Sequence, residues 1–304
     1  MTTRLAPSPT GPLHLGHVRA YLAAWLWARA AGGRVVLRME DLDAPRMMPG
    51  AAEQIVSDLT WLGLDWDEHA PNQSSRAPAY QAALEALSAT QSVFACTHTR
   101  LDLLSLASAP HGPEGHPPYP AHWRTQPLAA AELDNPEGLD AAVRFMVPEG
   151  LVQFTDACQG PQQQNVLAEV GDFVLRRRDG VFAYQLACVV DDAAQGITHV
   201  VRGADLLLST PRQILLHQAL GTPVPHYAHV GLVVNAEGLK LSKRDGAVSI
   251  AQLRQAGTTP GQIVQWAASS LGLNAHASTP TGLIGQVPQP QTAGQQITAP
   301  KLIA

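Results

Sequence analysis

Residues 4–17 read RLAPSPTGPLHLGH, and this stretch carries the most informative pattern in the chain. A short apolar lead is followed by a turn rich in proline and glycine. His14-Leu15-Gly16-His17 then stands at the start of an apolar run. This order predicts a strand, an open loop and a helix.

The predicted helix start is suited to an anion. The first N–H groups of a helix have no intrahelical acceptor and carry the positive end of the helix dipole, so they favour a group such as phosphate. Gly16 leaves the backbone open to a flat ligand, while His14 and His17 can donate hydrogen bonds to phosphate oxygens. A surface or metal-binding pair of histidines gives the same pattern, so the motif alone leaves both interpretations open.

Composition indicates an ordinary globular protein. The chain has 304 residues, 45% of them hydrophobic, which is enough for one large domain with an insertion or for two smaller domains. Its net charge of −5 does not attract nucleic acid as a whole, so any such contact requires basic residues gathered on one face. Residues 176–178, three consecutive arginines, are a candidate, and a solvated turn is the alternative.

The cysteines indicate the compartment. Cys96, Cys158 and Cys188 are odd in number, far apart and in no Cys-x-x-Cys pair, which favours a reducing environment over a disulfide framework. We therefore expect a cytoplasmic protein. We expect no membrane role, because no basic-then-apolar leader precedes Arg4 and the first apolar helix is interrupted by arginine.

Charged side chains stand at the ends of two predicted buried strands. Residues 34–39 predict a strand that runs into Glu40, and residues 197–203 predict one whose last side chain is Arg202. Strand, helix and strand within the first forty residues imply parallel pairing through a right-handed crossover. Ligands bind beyond the carboxyl ends of such strands, so we expect Glu40 beside the histidine motif, where it could hold an ammonium group. Pairing of Glu40 with Arg46 near the surface is the alternative.

A basic loop follows a third predicted strand, at residues 229–234. It reads Lys240-Leu241-Ser242-Lys243-Arg244, and taken alone it is typical of a solvated turn. Together with the histidine motif, it would enclose a triphosphate from the opposite side.

These blocks resemble the class I aminoacyl-tRNA synthetases, whose His-Ile-Gly-His and Lys-Met-Ser-Lys-Ser signatures correspond to residues 14–17 and 240–244. The glutamyl branch is the narrower match, because residues 4–11 and 38–43 follow its Arg-Phe-Ala-Pro-Ser-Pro-Thr-Gly and Arg-Ile-Glu-Asp motifs. Matching blocks run from Arg4 to about Leu273. The early end after them is similar to the truncated paralogues of this branch, the glutamyl-queuosine tRNA(Asp) synthetase family.

The resemblance implies an activity and its substrates. L-glutamate would be activated with ATP, without tRNA, to glutamyl-adenylate, and then transferred to the queuosine base at the wobble position of tRNA(Asp). Mg²⁺ would bridge phosphate oxygens. We expect a monomer. Three alternatives stay open: a truncated glutamyl-tRNA synthetase that charges tRNA(Glu), a catalytically idle tRNA-binding paralogue, and a cytidylyl- or adenylyltransferase with the same histidine motif.

The resemblance also implies residue roles. The catalytic residues would be His14, His17, Lys240 and Lys243. Glutamate would be bound by Arg4, Ala6, Ser8, Glu40, Tyr184 and Arg202. ATP would be bound by Thr10, Gly11, His14, Gly16, His17 and Lys243. Arginine suits the carboxylates of glutamate because its planar guanidinium binds them through two hydrogen bonds.

The implied fold is α/β, with a Rossmann-like parallel sheet, an inserted α+β subdomain and no anticodon-binding domain. Residues 1–91 and 171–230 would form the two halves of the catalytic domain and residues 92–170 the insertion. Residues 231–274 would form the basic loop and a helical segment. Residues 275–304, rich in Pro, Gln, Thr and Gly, are expected to be a disordered tail.

A zinc site of these paralogues is degenerate in this chain. The positions where they carry Cys-x-Cys, Tyr and a further Cys hold Cys96, His98, Tyr119 and Trp123, with His122 adjacent. Indole cannot bind a metal, although the remaining side chains could still form a tetrahedral set. We therefore assign no metal ligand.

Overall fold

The computed structural model describes residues 1–105, 117–133, 140–235, 248–274 and 276–299. The strands are β1 (Thr2–Leu5), β2 (Arg34–Leu37), β3 (Glu68–His69), β4 (Val93–Cys96), β5 (Ala142–Phe145), β6 (Val152–Asp156), β7 (Gly160–Gln164), β8 (Val174–Arg176), β9 (His199–Gly203), β10 (His226–Val230), β11 (Val233–Val234) and β12 (Ile297–Thr298). The helices are α1 (Leu15–Ala30), α2 (Ala51–Leu62), α3 (Ala77–Ala89), α4 (Arg100–Ser105), α5 (Ala130–Leu133), α6 (Val166–Glu169), α7 (Tyr184–Ala194), α8 (Thr210–Ala219), α9 (Ile250–Gln255), α10 (Pro260–Ser270) and α11 (Pro290–Ala293). None of the helices in these ranges is long and apolar enough to cross a membrane.

A parallel sheet positions the loops that matter here. β1 pairs in parallel with β2 in the register Thr2–Arg34 to Leu5–Leu37, and β2 pairs in parallel with β3. The parallel crossover predicted for the first strand, helix and strand is therefore confirmed. β9 and β10 form a second parallel pair, which lies beside β1 and is joined to it by the Thr198 N–H donating to the Thr2 carbonyl. The carboxyl ends of β1, β2, β9 and β10 thus meet at one edge.

Helix α1 is held between this sheet and the C-terminal part of the chain. It is apolar on almost every face because it packs with β1, β2 and α10 in the largest core cluster. Arg19 in the middle of α1 is fully buried, and its guanidinium donates to Ser270 of α10 and to the Gly231 carbonyl. This buried arginine therefore links α1 to α10 and to the segment that follows β10.

The insertion has its own sheet, in the order β4-β5-β8, with antiparallel pairing throughout. Its apolar face packs with α3, α7 and α8 in a second core cluster. The expected boundary at residue 170 differs from this arrangement, because β8 at Val174–Arg176 pairs with β5 and so extends the inserted sheet. Strand pairing across distant sequence positions, which local patterns do not report, sets this boundary.

Between β8 and α7 the chain makes a turn at Asp179-Gly180 and a single backbone bridge instead of a regular hairpin. Gly180 has φ of +85°, and Arg176 bridges Phe182. The second arm is cut short because α7 begins at Tyr184. A regular hairpin occurs instead at β6 and β7, from Val152 to Gln164.

The tail expectation is wrong for residues 276–299. β12 pairs in parallel with β11, and Leu283 and Ala293 are completely buried in the main core cluster. The composition of this segment cannot build a core of its own, but the segment docks on a core that is already present. Gly231, between β10 and β11, donates its N–H to the Ala293 carbonyl and so attaches the docked segment to the sheet edge.

Replacing Gly231 with alanine is expected to detach this segment. A Cβ at Gly231 would lie 2.1 Å from the Gln295 carbonyl oxygen, so either the backbone must move or the segment must leave. We expect the free energy of unfolding to fall by about 2 kcal/mol or more, as for an overpacked core. Denaturant unfolding measures this change. Gly285→Ala in the same segment is the matched control, because a Cβ there meets nothing within 4 Å. Equal stability of the two variants would contradict the docking.

Candidate active site

A cavity of about 930 Å³ opens at the edge where the parallel strands end. The sequence-predicted residues that line it are Ala6, Ser8, Thr10, His14, Gly16, His17, Glu40, Tyr184 and Arg202. They come from the β1–α1 loop, the start of α1, the end of β2, the start of α7 and the end of β9. Chain segments nearly two hundred residues apart therefore contribute to one cavity.

The histidine motif forms the start of α1 and also caps it. His14 Nδ1 accepts the Gly16 N–H at 3.1 Å, and His17 Nδ1 accepts the His14 N–H at 3.2 Å. A neutral imidazole that accepts at Nδ1 carries its proton on Nε2, so both rings adopt the tautomer with a donor at Nε2. A Cβ at Gly16 would lie 3.0 Å from His14 Cε1, a close contact that the His14 ring would have to move to relieve.

Glu40 lies at the cavity wall with one carboxylate oxygen already paired. Oε1 accepts from Arg38 Nη2 at 3.0 Å and from the Cys188 thiol at 3.4 Å. Arg38 is fully buried and also donates to Asp192 Oδ1 at 2.7 Å. The interpretation of Glu40 as a surface partner of Arg46 is wrong, because Arg38 occupies that role and Glu40 is only 9% exposed.

Arg202, at the end of β9, places a positive charge in the same cavity. Its Nη1 lies 3.4 Å from the Tyr184 hydroxyl, and its Nη2 donates to Thr210 Oγ1 at 2.9 Å. The cavity therefore combines a carboxylate, a guanidinium and a helix start rich in donors. Such a set can bind a zwitterion next to a polyphosphate.

Comparison with known proteins gives the family. The family model for tRNA synthetases class I (E and Q), catalytic domain, matches residues 1–279. The chain belongs to this family. A protein named glutamyl-Q tRNA(Asp) synthetase from Symbiobacterium thermophilum is 48% identical over 280 residues, which cover 89% of this chain and 86% of that protein. One of the same name from Burkholderia cenocepacia is 47% identical over 285 residues, covering 92% and 91%.

A solved structure has the same fold. The glutamate-tRNA synthetase of Elizabethkingia anophelis superposes with a TM-score of 0.82 at 28% identity, covering 99% of this chain and 69% of that one. The architecture is therefore that of a class I synthetase catalytic region, a mixed α/β fold. Membership of the class implies that the chain uses ATP, in general with Mg²⁺.

Two of the expected residues are not among the described residues that line the cavity. Arg4 is 3% exposed and pairs with Asp192 Oδ1 at 3.3 Å, and it is absent from the described residues that line the cavity. Gly11 is also absent from that lining, and its φ of +144° makes it a turn residue of the β1–α1 loop. Arg4 and Arg38 share Asp192 Oδ1 as an acceptor, and Arg38 in turn donates to Glu40 at the cavity.

The second synthetase motif lies outside the described residues. Lys240 and Lys243 lie between residues 236 and 247, outside the described residues. The residues on either side of that gap are at the cavity: Val233 lines it, and Ser249 forms a backbone bridge with His14.

The arginine cluster at residues 176–178 is largely neutralised. Arg176 is buried in β8, Arg177 pairs with Asp179 at 2.6 Å, and Arg178 pairs with Asp140. Because carboxylates oppose both exposed charges, the solvated-turn interpretation is favoured over a nucleic-acid contact.

The degenerate zinc positions are occupied by packing contacts. The Tyr119 hydroxyl donates to Cys96 Sγ at 3.2 Å, and the His98 ring stacks on Trp123 with centroids 3.9 Å apart. Among the residues that the structure describes, no three His, Cys, Asp or Glu side chains are grouped so that they could hold a metal ion. The described part of the cavity therefore contains no all-protein Mg²⁺ site, and we assign no residue to that ion.

Sequence reasoning missed part of the lining and the residues behind it. The unpredicted lining residues are Ala20, Tyr21, Arg46, Met48, Gly203, Asp205, Leu206, Val230, Gly231, Leu232 and Val233. Behind the lining, Asp192 accepts from Arg38, and His229 bonds both Arg202 and Asp156. A signal existed for Asp192, because Asp191-Asp192 directly follows an apolar stretch at residues 186–190.

Proposed function

We propose that this chain activates L-glutamate with ATP, without tRNA, and transfers it to the queuosine base of tRNA(Asp). One observation carries the proposal: a single cavity combines the donor-rich start of α1 with the Glu40 carboxylate and the Arg202 guanidinium. The names and the coverage of the relatives support it further.

Glutamate fits this cavity by charge. Its ammonium group binds the Glu40 carboxylate, which Arg38 and Cys188 orient through Oε1. A glutamate carboxylate binds Arg202, with the Tyr184 hydroxyl beside it. Ala6 and Ser8 bound the substrate along the β1–α1 loop. Arg4 contributes indirectly, by neutralising Asp192 behind the pocket.

The first step needs alignment more than proton transfer. The α-carboxylate of glutamate is ionised at neutral pH, so no general base is required. One carboxylate oxygen attacks the α-phosphorus of ATP, the bond from that phosphorus to the bridging oxygen breaks, and pyrophosphate leaves with the electron pair. His14 and His17 donate from Nε2 to phosphate oxygens, while Thr10 and Gly16 line the nucleotide side. Lys243, with Lys240, neutralises the departing pyrophosphate.

The parallel strands suit a nucleotide-binding function. We propose a Rossmann-like nucleotide-binding sheet made of β3-β2-β1 and β9-β10, into which the β4-β5-β8 subdomain is inserted. The three separated cysteines of the chain support a reducing, cytoplasmic setting for the enzyme.

Two assays test the proposal. Glutamate-dependent exchange of pyrophosphate into ATP, measured without tRNA, should be present, whereas an idle paralogue would give none. Radiolabelled glutamate should then be transferred to purified tRNA(Asp) that contains queuosine, and not to tRNA(Asp) that lacks it or to tRNA(Glu). Charging of tRNA(Glu) alone would favour a truncated glutamyl-tRNA synthetase instead.

A further inference from the structure

Two buried polar side chains lie behind Arg202 and are joined to it by hydrogen bonds. His229 on β10 is completely buried, and Asp156 at the end of β6 is 1% exposed. Arg202 Nε donates to His229 Nε2 at 3.0 Å, and His229 Nδ1 donates to Asp156 Oδ2 at 2.6 Å. The three side chains come from the central sheet and from the hairpin packed on it.

The hydrogen bonds define the protonation of the ring. A guanidinium only donates, so His229 Nε2 must be the acceptor toward Arg202, and the proton must be on Nδ1, facing the Asp156 carboxylate. Burial lowers the pKa of His229, although the hydrogen bond to Asp156 acts in the opposite direction. The ring is therefore neutral. Asp156 Oδ1 also accepts the backbone N–H groups of His229, Cys158 and Gln159, so the carboxylate itself is held rigidly.

The hydrogen bonds of Arg202 determine which edge of its guanidinium is available to a ligand. Nε is bound to His229, and Nη2 is bound to Thr210 Oγ1 and the Leu206 carbonyl. Nη1 extends to the Tyr184 hydroxyl at the cavity. The long Arg202 side chain loses much of its rotamer freedom in this arrangement. Because this entropy is lost on folding, it is not lost again when the substrate binds.

We propose that Asp156 and His229 are positioning residues that hold the Arg202 guanidinium in the orientation that binds the substrate carboxylate. This inference rests on the function proposed above, in which Arg202 binds glutamate. It assigns a role in substrate affinity to the β6–β7 hairpin, which contributes no residue to the described cavity lining.

Two substitutions of the same histidine separate positioning from packing. In His229→Gln, the side-chain oxygen can reach the place of Nε2 and accept from Arg202. In His229→Asn, the shorter amide reaches only the place of Nδ1 and leaves Arg202 Nε without its acceptor. We expect the asparagine variant to raise the KM for glutamate about tenfold or more, the loss typical of a hydrogen bond to a charged group, with a much smaller change in kcat. The glutamine variant should recover most of the affinity.

Asp156→Asn provides a second route to the same state. Its amide N–H group facing His229 would favour the tautomer with the proton on Nε2, which then opposes the Arg202 Nε–H. We expect the KM for glutamate to rise here as well, while the KM for ATP stays within about twofold. The matched control is His217→Asn, because His217 is equally buried and bonds Thr222 at 2.7 Å, away from Arg202. It should lower stability without raising the KM for glutamate.

Pyrophosphate exchange and calorimetric titration with L-glutamate give the readouts, on variants whose thermal unfolding stays cooperative. Unchanged glutamate affinity in both His229→Asn and Asp156→Asn would overturn the inference, as would equal losses in the asparagine and glutamine variants of His229. Absence of glutamate binding by the unmodified protein would instead refute the proposed function, so the two failures are distinguishable.

Discussion

Glu40→Gln is expected to lower kcat/KM for glutamate in pyrophosphate exchange by about a hundredfold or more, the cost of removing one partner of a buried charge pair. Glutamine keeps an oxygen that can accept from Arg38 but removes the negative charge that faces the substrate ammonium. Arg38 also stays paired with Asp192 at 2.7 Å, so the fold should survive the substitution. Initial rates over a range of glutamate concentrations measure the effect.

The same substitution at Glu53 is the control for Glu40. Glu53 is exposed in the first turn of α2, where a change from glutamate to glutamine alters the surface charge equally. We expect wild-type kinetics for Glu53→Gln. Wild-type kcat/KM in Glu40→Gln would remove the proposed ammonium site and, with it, the main argument for an amino-acid substrate.

Lys243→Ala is expected to abolish glutamate-dependent exchange, to less than about one-hundredth of the wild-type rate, because a preorganised charge at the departing pyrophosphate would be lost. Glutamate binding, followed by calorimetry without ATP, should remain measurable. This contrast arises because the proposed role of Lys243 is confined to the phosphate side of the cavity.

Lys301→Ala is the control for Lys243, since it removes the same charge near the end of the chain. It should leave the exchange rate unchanged. Near-normal exchange in Lys243→Ala would contradict the role of the basic loop, and loss of glutamate binding in that variant would indicate a wider structural effect than the one proposed.

Several features of the fold were predictable because they are local. The apolar run after His17 and the buried strand before Glu40 predict α1 and β2, and their separation requires a parallel crossover. The positions of Glu40 and Arg202 at one cavity follow from the same rule, since the carboxyl ends of parallel strands share an edge. These expectations needed only the periodicity of the chain and the handedness of its connections.

The errors occurred where a local sequence pattern was taken as a guide to packing. Residues 276–299 are rich in Pro, Gln and Thr, but Leu283 and Ala293 are enough to anchor them on a core that other elements supply. The boundary at residue 170 failed because β8 joins β5. Arg4 belongs to the family motif, but Asp192, 188 positions later, is its partner. A motif identifies a residue without identifying what it contacts.

Sequence alone predicted the chemical groups that we propose for the site: the donors at the start of α1, the carboxylate after β2, the guanidinium after β9 and the basic loop at residues 240–244. These are properties of residue types at element ends, and short patterns encode them. The tertiary structure alone decided how these groups are supported. His229 and Asp156 are 73 positions apart and meet only because the hairpin packs on the sheet. Buried polar groups must find partners wherever the fold brings them, and no local pattern records that choice.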